Sequence, residues 1–145
     1  MRRSGTWSVL VIAFLALTLN ACNKITGRSV TVEFSDASGI TGGEKVYLAG
    51  VAIGSTGSPG VKGGKAQVHV TLDREHKDAL LPGTIFLLKR DPNRPDRNCL
   101  IAFTAATNDK PGVRQENYSG ASSYLELIGM LGAEKAKQLY DHLAQ

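Results

Sequence analysis

The chain has 145 residues, with 17 Lys and Arg against 13 Asp and Glu, a formal net charge of +4. That length builds one domain around one core, and so mild a charge, unclustered outside Lys89 to Arg97, excludes a nucleic-acid binder. Glycine at 16 positions points to many tight turns and a mainly β body, and two cysteines exclude a disulfide scaffold.

The first element is a leader. Arg2 and Arg3 precede an apolar run from Trp7 to Leu19, which ends in Leu19-Asn20-Ala21-Cys22. This order resembles a bacterial lipoprotein signal peptide over residues 1–21, with Cys22 as the acylated residue. An uncleaved transmembrane anchor is the alternative, but crossing a bilayer takes about 20 apolar residues and this run is shorter. Removing the two arginines leaves a mature charge near +2. Acylation of Cys22 would leave Cys99 without a disulfide partner, and its neighbours Leu100, Ile101 and Phe103 place that thiol in or near the core.

Residues 22–28 read as a polar tether. Val30, Val32 and Phe34 then alternate with Thr31 and Glu33, the period of a half-buried strand. Ser35 to Gly43 is loop chemistry. Lys45 to Ile53 reads as a single second strand, with Gly50 as a bulge or a close backbone approach. Gly54 to Gly64 is a glycine-punctuated connection. Val68, Val70 and Leu72 point inward from the next strand, with His69 and Thr71 outward. Asp73 to Pro82 is a polar excursion with room for one helical turn. Ile85–Lys89 and Cys99–Phe103 are two further strands around a loop from Arg90 to Asn98. Residues 105–122 show no periodicity and read as an extended linker.

The tail changes character. Ser123 and Glu126 have the spacing of a capping box, and Leu127, Ile128 and Leu131 share a helical face that Ala136, Leu139, Tyr140 and Leu143 continue. Gly129 and Gly132 weaken its middle, so residues 123–145 read as one helix or two short ones. The helix either packs on its own domain or associates with identical helices through Leu127, Leu131, Leu139 and Leu143.

No stretch carries a catalytic signature. The glycines at 54, 57, 60 and 63 fall three apart but form no collagen run; Gly64-Lys65 lacks the rest of a phosphate loop; Ser55 lacks the flanking glycines of a nucleophile elbow. His69, Asp73, Glu75 and His76 are the best metal candidates, at a spacing that matches no zinc pattern. A hydrolase using His69, Asp73 and His76 is the most distant reading. The sequence points to a non-enzyme that needs no metal or cofactor.

The stretch from Phe34 to Gly54 goes further. Gly39-Ile40, Gly42 or Gly43, Val46 and Gly50-Val51-Ala52-Ile53-Gly54 resemble the opening of an MCE domain, as in MlaD-like proteins, and the likeness runs through roughly residues 28 to 104. It implies a single small MCE-type β-barrel over residues 29–104, followed by a short C-terminal amphipathic helix. It also implies a homo- or hetero-hexameric ring with other MCE subunits, phospholipid or other hydrophobic cargo, and an ABC permease and ATPase as partners. The glycines fit such a barrel, since they permit tight turns and close strand crossings.

One departure from the resemblance stands out. Relatives carry apolar residues in the pore loop between the last two strands. Here that segment is Arg90 to Asn98, with Pro92, Asn93, Arg94 and Pro95 at its centre as the lipid or partner contact. Its polarity admits a mixed ring, a docking loop or a solvated tip stiffened by Pro92 and Pro95. The expected location is the periplasmic face of a bacterial membrane, held by acylated Cys22. Asn23 is not the Asp that retains many lipoproteins at the inner membrane, which favours the outer one. A scaffold lipoprotein with no cargo of its own is the second functional reading.

Overall fold

Alternating apolar residues decide most of the strands. In the computed structural model, residues 27–104 and 114–143 are described. The strands are β1 (Ser29–Phe34), β2 (Lys45–Leu48), β3 (Val51–Thr56), β4 (Gly60–Lys62) and β5 (Lys65–Leu72), then β6 (Thr84–Asp91), β7 (Arg94–Thr104) and β8 (Asn117–Ala121). A 3-10 turn, Arg74–His76, occupies the polar excursion after β5, and the helix α1 spans Tyr124–Leu143. The order β1-β8-β6-β7-β2-β3-β5, closed by antiparallel pairing of β5 with β1, makes a seven-stranded barrel, and β4 is a short flap on β5. This is the mainly β barrel with a C-terminal helix that the sequence implies.

The barrel interior is filled. Val32, Val46, Val68, Val70, Leu72, Phe86 and Leu100 are fully buried, with Val30 and Phe34 nearly so. Phe86 meets Tyr118 edge-on, their ring centroids 5.7 Å apart. Small barrels close over their own side chains in this way, and among the described residues the barrel interior is packed and holds no ligand-sized channel. A second cluster lies outside the barrel wall, where Ile85, Leu87 and Ala121 receive Leu127 of α1, with Phe103, Met130 and Leu131 around them.

Two local features differ from the sequence expectation. Lys45 to Ile53 is not one strand with a bulge at Gly50. Ala49 and Gly50 both adopt positive φ, 50° and 82°, and turn the chain tightly from β2 into β3. Two successive positive φ values are what a two-residue hairpin with native twist requires. The ladder irregularity lies instead between Val46 and Tyr47. Secondly, Asn117–Ala121 falls in the segment read as a linker, yet it is a barrel strand, parallel to both β1 and β6. The earlier part of that segment, residues 105–113, lies outside the described residues. Of the two helical readings the first holds, since α1 runs through Gly129 and Gly132 as one helix.

The capping box forms with a shift of partner. The Glu126 backbone N–H donates to Ser123 Oγ at 3.2 Å, and the Glu126 carboxylate accepts from the backbone N–H and hydroxyl of Ser122, each at 2.8 Å. Ser35 at the end of β1 donates to the other Glu126 oxygen at 2.8 Å, which pins the helix start to the barrel. Leu127 is buried beneath it, whereas Leu125 and Ile128 are 82% and 65% exposed. Ile128 thus does not share the packed face. Leu127→Ala is expected to cost about 2–3 kcal/mol through lost burial and a residual cavity. Leu125→Ala should shift the thermal midpoint little, and melting the two variants side by side checks the contrast.

Candidate functional site at the β6–β7 hairpin

The segment read as a nine-residue loop is mostly strand. β6 and β7 pair from Thr84↔Thr104 up to Arg90↔Asn98, and after a register shift Asp91 faces Arg94. Only Pro92 and Asn93 remain as the turn, with Arg94 and Pro95 the first residues of β7. Asp91-Pro92-Asn93-Arg94 is therefore a four-residue turn with Asp first and Pro second, the residues a type I turn favours. That signature was available in the sequence and could have shortened the expected loop.

Asp91 organises the tip. It is 1% exposed, and its Oδ1 accepts the Asn93 backbone N–H at 2.9 Å while Oδ2 faces Arg94 Nε at 3.4 Å. Tyr47 Oη, reaching across from β2, lies 3.4 Å from Oδ2. Burial opposes ionisation of this carboxyl, but the Asn93 N–H and the Arg94 guanidinium outweigh it and hold the group below its ordinary range. Arg90 Nη1 donates to the Pro95 carbonyl at 3.1 Å, bracing the two strands. Asn98 Nδ2 donates to the Gly39 carbonyl at 2.9 Å, tying the tip end of the hairpin to the loop after β1. Lys89 Nζ lies 5.7 Å from the centre of the Tyr124 ring at the start of α1.

That loop has its own organiser, which sequence reasoning missed. Glu44 is 5% exposed. Its carboxylate accepts the backbone N–H groups of Thr41 and Gly42 at 2.8 and 2.9 Å, and the Thr41 hydroxyl at 2.9 Å. Thr56 Oγ1 of β3 donates to it as well. Burial pushes the carboxyl upward, but the Thr56 and Thr41 donors prevail and bring its pKa from 4.5 down to about 2. The only signal for it was an acidic residue directly after a glycine turn.

The other expected positions are placed as follows. Leu127 packs into its own domain and Leu131 is half-buried there, so Leu127 is not free to meet a neighbouring helix. The side chains of Leu139 and Leu143, and the whole of Cys22, lie outside the described residues. Cys99 is buried, and burial raises its thiol pKa, as the sequence indicated for a core cysteine. His69 points outward from β5 with Nδ1 3.3 Å from Thr31 Oγ1. Among the described residues no three His, Cys, Asp or Glu side chains are grouped to hold a metal, and no helix is long and apolar enough to cross a membrane.

The described residues thus form a closed seven-stranded barrel with a filled core, an outer docked helix and a braced polar hairpin. The MlaD protein family matches residues 26–129, and the chain belongs to that family. It is accordingly an MCE-domain protein and not an enzyme. Among solved structures, a chain of the Acinetobacter MlaFEDB complex in its ATP-bound Vtrans1 conformation is similar in fold. The TM-score is 0.50 at 12% identity, over 84% of this chain and 94% of that one. No curated protein matches the sequence.

Proposed function

We propose that this chain is a membrane-tethered periplasmic component of an MCE-type, ABC-transporter-linked system that moves lipid between membranes. The observation that carries the reading is the MlaD family match across the whole barrel and the start of α1. The MlaFEDB complex, to which the fold is similar, names the kind of assembly the chain would join. Because the barrel core is packed with side chains, cargo has to travel along surfaces created when protomers form a hexameric ring. Partner MCE subunits, a permease and an ATPase complete the system, since directional movement needs an energy source outside this chain.

Transfer in this reading is non-covalent. Apolar surface shields acyl chains from water, each buried CH₂ contributing about 0.8 kcal/mol. Tethering is assigned to Cys22. A single acyl chain binds a membrane marginally and several hold it stably, so a multiply acylated cysteine repeated around a ring suits a resident component. Asn23 favours the outer membrane.

The polar hairpin favours a second reading, a scaffold subunit that touches no cargo. A photoreactive residue at position 93 or at exposed position 128, activated in living cells, separates the two. Covalent lipid adducts at either position are expected for a transport component; adducts to protein alone at both would establish the scaffold.

A further inference from the structure

We propose that the end of the barrel where β1 begins is a membrane-contact face, whose exposed Leu81 and Val51 dip into the leaflet that holds acylated Cys22. The proposal deepens the tethering reading and rests on it.

Strand directions bring the parts to one end. β1, β3, β6 and β8 start there, and β2, β5 and β7 finish there. The chain enters the barrel at the same end. Gly27 lies so close to the Leu72 carbonyl, at the finish of β5, that a Cβ would overlap it. The Leu72 N–H donates to the Arg28 carbonyl at 2.8 Å, and Arg28 Nη1 donates to the Lys77 carbonyl at 3.4 Å. Five residues carry the chain from Cys22 to Gly27, a reach of at most about 18 Å. A bilayer that holds Cys22 therefore holds this end against its surface. The β6–β7 tip and the β4 flap lie at the other end, about 26 Å away over the length of β5.

Two rigid turns at the tethered end carry aliphatic side chains outward. The segment from Asp73 to Gly83 runs from β5 to β6. Leu80 is buried in the barrel core, whereas its neighbour Leu81 is 48% exposed. Leu81 opens a turn with Pro82 second and Gly83 third at φ 75°, the signature of type II. Its carbonyl accepts the Thr84 N–H at 3.2 Å and the Thr84 hydroxyl at 2.7 Å, and Thr84 is buried. Val51, 53% exposed, follows the Ala49-Gly50 turn of the β2–β3 hairpin. The Asp73 N–H donates to the Ile53 carbonyl at 2.9 Å, which ties that hairpin to the start of the same segment. Side chains presented on fixed turns pay little ordering cost on insertion.

Charge decides the kind of contact. Residues 27–28, 49–51, 73–83 and 114–117 contain four basic and four acidic side chains, so this end has no net attraction to anionic lipid. Contact by apolar burial at the interface is what remains, and it needs no lipid charge. Each single contact is weak; the tether makes it intramolecular, which raises the effective concentration of the surface.

The test uses the full chain purified from its own membrane and reconstituted in vesicles of plain or brominated phosphatidylcholine. The chain has one tryptophan, Trp7, which leaves with residues 1–21 in this reading, so an introduced tryptophan reports alone. Leu81→Trp and Val51→Trp probe the tethered end, and Val61→Trp on the exposed β4 flap probes the far end. Thermal melting verifies that each variant is folded. Brominated lipid is expected to remove most of the emission at positions 81 and 51 and none at 61, equally at low and high salt. Acylated chains that float with the vesicles yet keep full emission at 81 and 51 would overturn the contact and leave the tether standing; the turns would then belong to a protein partner. Quenching at 61 as strong as at 81 would overturn the orientation, and quenching lost in high salt would overturn the apolar mode. Chains without acyl groups would remove the tethering reading itself.

Discussion

Glu44→Ala is expected to lower stability by about 3 kcal/mol, a large part of what a domain of this size has. The carboxylate takes donors from the Thr41 and Gly42 backbone and from the Thr41 and Thr56 hydroxyls, and alanine strands all of them. Thr56 is buried, and a stranded buried donor costs more than the net value of its bond. The pH dependence has a definite sign. The folded pKa, about 2, lies below the ordinary value of 4.5. The stabilisation is therefore complete above about 4.5 and is lost as the pH falls through that window toward 2. Denaturant titrations at neutral and acid pH check both statements: wild type and variant should differ most near neutrality and converge in acid. A constant gap across the range would mean that ionised Glu44 is not what holds the loop.

Gly54→Val is expected to abolish folding of the barrel, or to cost about 4 kcal/mol or more where some fold survives. Gly54 pairs with Leu72 where β3 crosses β5, and a Cβ there would overlap the backbone carbonyl of Thr71. No side-chain rotamer relieves a clash with backbone, so the strands must separate at the pairing that helps close the ring. Gly57 offers the internal control, because a Cβ there meets His69 atoms at 3.6 Å and 3.7 Å, ordinary contact distances. Gly57→Ala should fold, and circular dichroism with thermal melting of the two variants would show whether glycine is required for space at position 54 alone.

Strands with alternating side chains were legible before any coordinates. Val30, Val32 and Phe34 on β1, and Val68, Val70 and Leu72 on β5, face the core as their spacing indicates. The glycine pattern from Gly39 to Gly54 carried the family resemblance as well. What stayed hidden depends on pairing. The β8 segment has one large apolar residue, Tyr118, and a glycine that packs against the Phe34 ring, so its sequence shows no period; its place comes from two parallel neighbours. The hairpin was obscured for a different reason. Arg90, Arg94 and Arg97 look like loop residues, but strand pairing is made by backbone groups that carry no record of side-chain polarity. Helical spacing suggested the packed face of α1 well at Leu127 and Leu131 and misplaced Ile128, which lies on the edge of that face and stays exposed. Of the hairpin site, the charges and prolines were evident; the burial of Asp91, its grip on Arg94 and the reach of Tyr47 required the fold.

Native mass spectrometry of the full chain, extracted from its own membrane in mild detergent, tests the central claim most directly, because one spectrum reads the terminus, the stoichiometry and the cargo. The expected species is a hexameric ring whose chains begin at an acylated Cys22 and which carries adducts of phospholipid mass. Chains without acyl groups, recovered free of lipid both alone and with their membrane partners, would contradict the account.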